Sequence, residues 1–160
     1  MPDFGAIIAV LEETFGGIWK VVLRLHPQLT ARKVKAGMTN KNIIDSSNED
    51  DMCEVLGAAD VLVTDYSAMT FDAAYINIPV FLYVYDLRDY IKDRGELMWD
   101  LETLSFPIAE NMFELVERVE SFDNEKYYED VATFFKESEI KEDGDASKSI
   151  VDVIEQKISI

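Results

Sequence analysis

Histidine and cysteine are nearly missing from this chain, one of each in 160 residues, His26 and Cys53. A single cysteine excludes an internal disulfide framework and any multi-cysteine metal site. One histidine among scattered carboxylates is poor material for zinc, and the many aspartates do not follow the spacing of a calcium-binding loop. No metal and no cofactor is therefore expected. Positive charge is also scarce: 15 Lys and Arg stand against 32 Asp and Glu, for a formal net charge of −17. Sequence-independent binding to DNA or RNA needs clustered cations, and here they are dispersed. No nucleic-acid partner is expected, and any phosphate-bearing ligand must be held by a local site against the field of the whole surface. No apolar run approaches the roughly 20 residues that span a bilayer. No charged start followed by an apolar run and a cleavage site marks a signal peptide. A reducing, cytoplasmic setting is the expectation. The sequence also lacks a Gly-x-Ser-x-Gly elbow, a Gly-x-Gly-x-x-Gly turn after a strand, and a P-loop.

What is present is a globular composition, 48% hydrophobic, sized for one domain over residues 1–160. Phe4, Ile7, Ile8, Leu11 and Phe15 recur at helical spacing, and Gly16–Gly17 ends that helix. Lys20 to Leu25 is a short strand closed by His26–Pro27. After a polar loop, Asn42 to Asp45 is a second. Asp50 to Ala59 follows as a helix with Met52, Val55, Leu56 and Ala59 on its apolar side, in which Cys53 is expected to be a buried structural thiol. Asp60 to Thr64 is apolar on both faces, as for a strand buried in a parallel sheet. Ala68 to Ile76 is helical and Pro79 to Tyr85 is a fourth strand. Strands and helices alternating in this way predict an α/β domain, a Rossmann-like parallel sheet with flanking helices. Beyond it come a charged helix over Asp86 to Arg94 and an irregular stretch, Gly95 to Glu110, whose Trp99 and Phe106 pack onto the domain. Three helices close the chain: Asn111 to Glu120, with Asn111 as its cap, then Lys126 to Glu137 and Ala146 to Ile158.

Ligands of open parallel sheets sit beyond the carboxyl ends of the strands. Arg24 and His26 mark the end of the first strand; Thr64-Asp-Tyr-Ser-Ala-Met-Thr70 runs from the third strand into its helix. A helix start rich in hydroxyls suits a phosphate, but Ser67 or Asp65 serves equally well as an ordinary cap. His26 before a proline fits a structural hydrogen-bonding role as well as a chemical one. Asp72 either reaches back to the loop or pairs with a nearby cation.

Together these residues look familiar. Arg24-Leu-His-Pro27 resembles the Arg-x-His-Pro motif of the CDP-glycerol glycerophosphotransferases of teichoic acid synthesis. Asp60-Val-Leu-Val-Thr-Asp-Tyr-Ser67, with Phe71–Asp72 and Pro79, is similar to that family's Asp-x-Leu-x-Thr-Asp-Tyr-Ser-Ser block. Asp86-Leu with Tyr90 and Arg94–Gly95, and then Asp143-Gly-Asp-Ala-Ser147, resemble the two segments that follow. The resemblance implies one half of a two-domain GT-B architecture, the C-terminal half that binds CDP-glycerol. It implies Arg24 at the pyrophosphate and His26, as catalytic residue, at the transferred phosphoryl group. Ser67 and Ala68 would hold phosphate, and Asp72 would bind a ligand hydroxyl or orient the loop. The implied reaction is attack by an acceptor hydroxyl on the β-phosphorus, releasing CMP. The acceptor would be a polyol phosphate or a lipid-linked primer, held by a partner domain that has no counterpart here, and the complete enzyme would work at the inner face of the cell membrane.

The sequence departs from the family pattern where Ala68 replaces a second serine and Ser149 stands at a usual arginine. These departures keep two alternatives open, a non-catalytic nucleotide-binding or regulatory domain and half of a transferase using another nucleotide-sugar. The family's central opening strand also has no counterpart. Either the Leu25 strand pairs directly with the Val63 strand, giving the order 2-1-3-4, or another chain fills the gap, which makes a homodimer.

Overall fold

The computed structural model describes residues 2–25, 41–141 and 143–158. Helix α1 spans Phe4–Phe15, with the bounds its sequence signals give it. The Asp3 carboxylate accepts from the Gly5 and Ala6 amides at its start, and Gly16 (φ 71°) and Gly17 (φ 79°) turn the chain away in left-handed conformations that residues with a Cβ resist. Strands β1 (Val21–Leu23) and β2 (Ile43–Asp45) pair in parallel, Val21 opposite Ile43. The short helix α2 (Met52–Gly57) leads to β3 (Leu62–Thr64). Helix α3 (Met69–Tyr75), β4 (Val80–Tyr83) and α4 (Leu87–Arg94) follow, and then β5 (Ile108–Ala109), α5 (Met112–Glu120), α6 (Asn124–Glu137) and α7 (Ala146–Ile158). Strands β3, β4 and β5 form a second parallel sheet in that order, with Leu62 opposite Val80 and Leu82 opposite Ile108.

The alternation of β4 divides the core in two. Val80, Leu82 and Val84 face one side and meet Leu56, Met69, Ala73, Phe106, Tyr127 and Val131 from α2, α3, α6 and the segment before β5. Phe81 faces the other, with Ile7, Val10 and Leu11 of α1 and Leu115 and Val119 of α5. A strand buried on both faces between two helical layers is the α/β arrangement that the sequence pattern predicts, and Asn111 caps α5 by accepting from the Glu114 amide.

Four expectations need correction. No ladder joins β1 to β3 among the described residues, so the direct pairing with order 2-1-3-4 does not form. For the same reason β3 lies at an edge of its sheet and is half-buried rather than enclosed. The stretch Gly95 to Glu110 is not wholly irregular: it contains a 3-10 turn at Leu101–Thr103 and strand β5, while Phe106 is buried as expected. Cys53 is exposed. It lies in the first turn of α2, where Asp51 accepts from its amide, and only Leu56 of that helix is buried.

Candidate functional site

The carboxyl ends of β1 and β3 carry the residues singled out in the sequence. Arg24 follows β1 directly and is half-buried. Its Nη1 donates to the Ser46 carbonyl at 3.1 Å and the Glu49 carbonyl at 2.7 Å, tying the end of β1 to the loop after β2. The Leu25 amide donates to Ser47 Oγ at 3.0 Å. The Ser47 hydroxyl and amide in turn hold the exposed Asp45 carboxyl below its usual range. Nη1 is thus committed to holding that loop. His26 lies outside the described residues.

Past β3, Ser67 Oγ accepts from the Met69 amide at 3.3 Å, and the Ser67 and Ala68 carbonyls accept from the Thr70 and Phe71 amides. The capping role considered for Ser67 is therefore real, although the contact is long. Ala68 stands at the N-cap position with helical backbone angles and no side-chain bond to give. Asp65 accepts from the Tyr66 amide at 2.8 Å. Asp72 is exposed in the first turn of α3, where no described lysine or arginine pairs with it. Ser67, Ala68 and Asp72 therefore lie together within one loop and turn, while Arg24 belongs to the other sheet and makes no hydrogen bond to them.

Tyr66, Asp86 and Tyr90, named in the sequence only as parts of two motif segments, come together beside that loop, a contact that sequence reasoning did not foresee. The Tyr66 hydroxyl donates to Asp86 Oδ1 at 3.0 Å, across from the end of β4, and its ring stacks on Tyr90 with 3.7 Å between centroids. Desolvation, and then the bond to Asp86, push the Tyr66 phenol well above its ordinary range. Tyr85 is raised as well, first by desolvation and then by the Asp86 and Asp65 charges. Both phenols therefore stay protonated at neutral pH. The available signal was the i,i+4 spacing of Asp86 and Tyr90, which places them on one face of α4.

A concavity of about 730 Å³ opens beyond β5, away from Arg24, Ser67, Ala68 and Asp72, lined by Leu87, Ile91, Glu96, Trp99, Glu110 and Arg118 among others. Its carboxylates suit a phosphate poorly. Among the described residues no cluster of three or more His, Cys, Asp or Glu could hold a metal, and no helix is long and apolar enough to cross a membrane.

The sequence model of a family described as CDP-glycerol:poly(glycerophosphate) glycerophosphotransferase matches residues 7–156. A teichoic acid poly(glycerol phosphate) polymerase of Staphylococcus epidermidis is 30% identical over 92% of this chain and 21% of its own. A teichoic acid glycerol-phosphate primase of Bacillus subtilis is 28% identical over 86% of this chain and 35% of its own. The solved structure of a variant of the wall teichoic acid polymerase TagF soaked with CDPG superposes with a TM-score of 0.66 at 30% identity, covering 95% of this chain and 38% of that one. The chain thus spans about a fifth to two-fifths of the length of the proteins it matches.

Proposed function

The chain belongs to the CDP-glycerol:poly(glycerophosphate) glycerophosphotransferase family, and from that premise we propose that residues 1–160 form the donor domain, which binds CDP-glycerol. The observation that carries the reading is that the match takes in both strand ends at once, Arg24 after β1 and Ser67 to Asp72 after β3. In a complete enzyme an acceptor hydroxyl oxygen forms a bond to the β-phosphorus. The bond from that phosphorus to the bridging oxygen breaks, CMP leaves, and the hydroxyl proton passes to a base, for which His26 is the proposed residue. Arg24 contacts the pyrophosphate through the donors its carbonyl bonds leave over. Ser67 and the Ala68 backbone hold phosphate, and Asp72 binds a glycerol or ribose hydroxyl. The acceptor, a polyol phosphate or lipid-linked primer of the teichoic acid type, is held by residues outside 1–160. Water exclusion and positioning of that acceptor would fall to those other residues, so little or no turnover is expected of residues 1–160 by themselves.

Ala68 favours a second reading, a domain that binds nucleotide without catalysing transfer, because a hydroxyl of the family motif is missing beside Ser67. Calorimetric titration with CDP-glycerol and a panel of other nucleotide-sugars tests the donor assignment. Saturable binding of CDP-glycerol is expected, weakened about 10- to 100-fold in Arg24→Ala, the range of one or two charge-assisted hydrogen bonds. Arg24→Lys should not restore it, since an ammonium cannot reproduce the fork. A folded parent that binds none of the panel would overturn the reading.

A further inference from the structure

We propose that Tyr66, Asp86 and Tyr90 form a clasp that fixes the Ser67 loop in its donor-binding shape, with Tyr66 as a positioning residue. The proposal rests on the reading of that loop as the donor site. The two halves of the clasp are far apart in sequence and meet because β3 and β4 are adjacent and parallel, with Thr64 opposite Leu82. Tyr66 leaves the end of β3 one residue before Ser67, and Asp86 leaves the end of β4 at the start of α4.

Asp86 is the informative member. It occupies the N-cap position of α4, where an aspartate ordinarily accepts from the amides of the first turn. Asp3, Asp51, Asp100 and Asp123 all do so in this protein. Asp86 makes no cap bond, and its Oδ1 takes the Tyr66 hydroxyl instead. A cap forgone and a phenol hydrogen bond gained are of similar size, so the exchange does not stabilise the fold on balance. What it does accomplish is to tie one strand-end loop to the next. The Tyr66–Tyr90 stack is closer than any other ring pair among the described residues, at 3.7 Å between centroids and 23° between planes, and it holds the phenol in line with the carboxylate. The ring and hydroxyl of Tyr66 therefore fix the backbone immediately before Ser67, while neither is needed to touch the ligand.

The test uses the whole chain with Tyr66→Phe, which keeps the stack and removes the donor, and Asp86→Asn, which keeps an acceptor oxygen. Hydrogen exchange without ligand reads the loop through the Met69 and Thr70 amides, which donate to Ser67. These should exchange about tenfold faster in Tyr66→Phe, and unchanged rates overturn the clasp. Titration with CDP-glycerol should show about tenfold weaker binding in Tyr66→Phe and rescue to within about threefold of the parent in Asp86→Asn, with melting temperatures near the parent's. If the parent binds and Tyr66→Phe binds equally well, whether or not its melting temperature falls, the positioning role is refuted. A parent that does not bind at all overturns the donor reading and the donor-binding role with it, while the exchange result still decides whether the loop is clasped.

Discussion

Tyr127 shows how much one side chain does at a strand end. It is 5% exposed, and its hydroxyl oxygen accepts the Val80 amide at 3.0 Å, satisfying the first N–H of the most buried strand from 47 residues away. Burial pushes the phenol up to about 12, and the Val80 bond, which favours the phenolate, offsets only part of that. Below pH 10 both folded and unfolded chains keep this proton, so its contribution is fully present. Between about 10 and 12 the unfolded chain loses the proton first, and stability falls as pH rises, by about 2–3 kcal/mol at 1.36 kcal/mol per unit. Tyr127→Phe should cost about 1–3 kcal/mol at pH 7 by orphaning the Val80 amide, and the gap to the parent should narrow across that alkaline window. Urea unfolding at pH 7, 10 and 11.5 measures this; a gap that stays constant would show that the phenol is not held protonated by the fold. Such roles are not legible in a sequence. Arg24, Ser67 and Asp72 could be picked out because strand ends attract ligands and a motif surrounds them. The partners of Tyr66 and Tyr127 depend on the register of strands and helices, which local spacing does not encode.

Helices were legible where their ends are chemically marked. Asp3 and Gly16–Gly17 bound α1, and Asn111 with Glu114 starts α5, so those elements lie where their signals place them. Strands were legible in kind but not in extent, because a strand lasts only as long as it has a partner. The apolar run from Lys20 to Leu25 yields three paired residues, and the two-residue β5 owes its existence to Leu82 and Tyr83 beside it. Helix α7 presents the opposite case, an element that formed as predicted yet buries nothing. Its apolar residues remain open to solvent, Ile150 at 61% and Val153 at 56% exposure. A helix that contributes no core contact should be dispensable for folding. Deleting residues 142–160 is expected to leave the melting temperature within about 2 °C of the parent, less than the shift of a 1 kcal/mol change in a chain this size. A fall of more than about 4 °C would mean that the helix docks onto the body of this chain in solution.

At the scale of the whole molecule two features oppose each other. Among the described residues strands β1 and β3 each keep one edge without a ladder partner, and their apolar residues are only half-covered, with Val22 exposed. Parallel sheets are ordinarily covered on both faces, and an open edge is a template for a strand of another chain. Against this stands the net charge of −17, which repels a second copy. The edges act over hydrogen-bonding distance, whereas the repulsion reaches as far as the Debye length, about 30 Å at 0.01 M salt but only about 10 Å at 0.1 M. Salt therefore weakens the opposing force and leaves the edges intact. Self-association is expected to rise with protein concentration in about 0.5 M salt and to be weaker near 0.01 M, where the Debye length is longest. Sedimentation velocity over a concentration series at both salts distinguishes the cases. Association that rises with salt identifies edges held apart by charge and supports the homodimer. Association that falls with salt would assign the contact to charge pairs rather than strands. A monomer mass throughout would show that the edges accept no second copy of this chain.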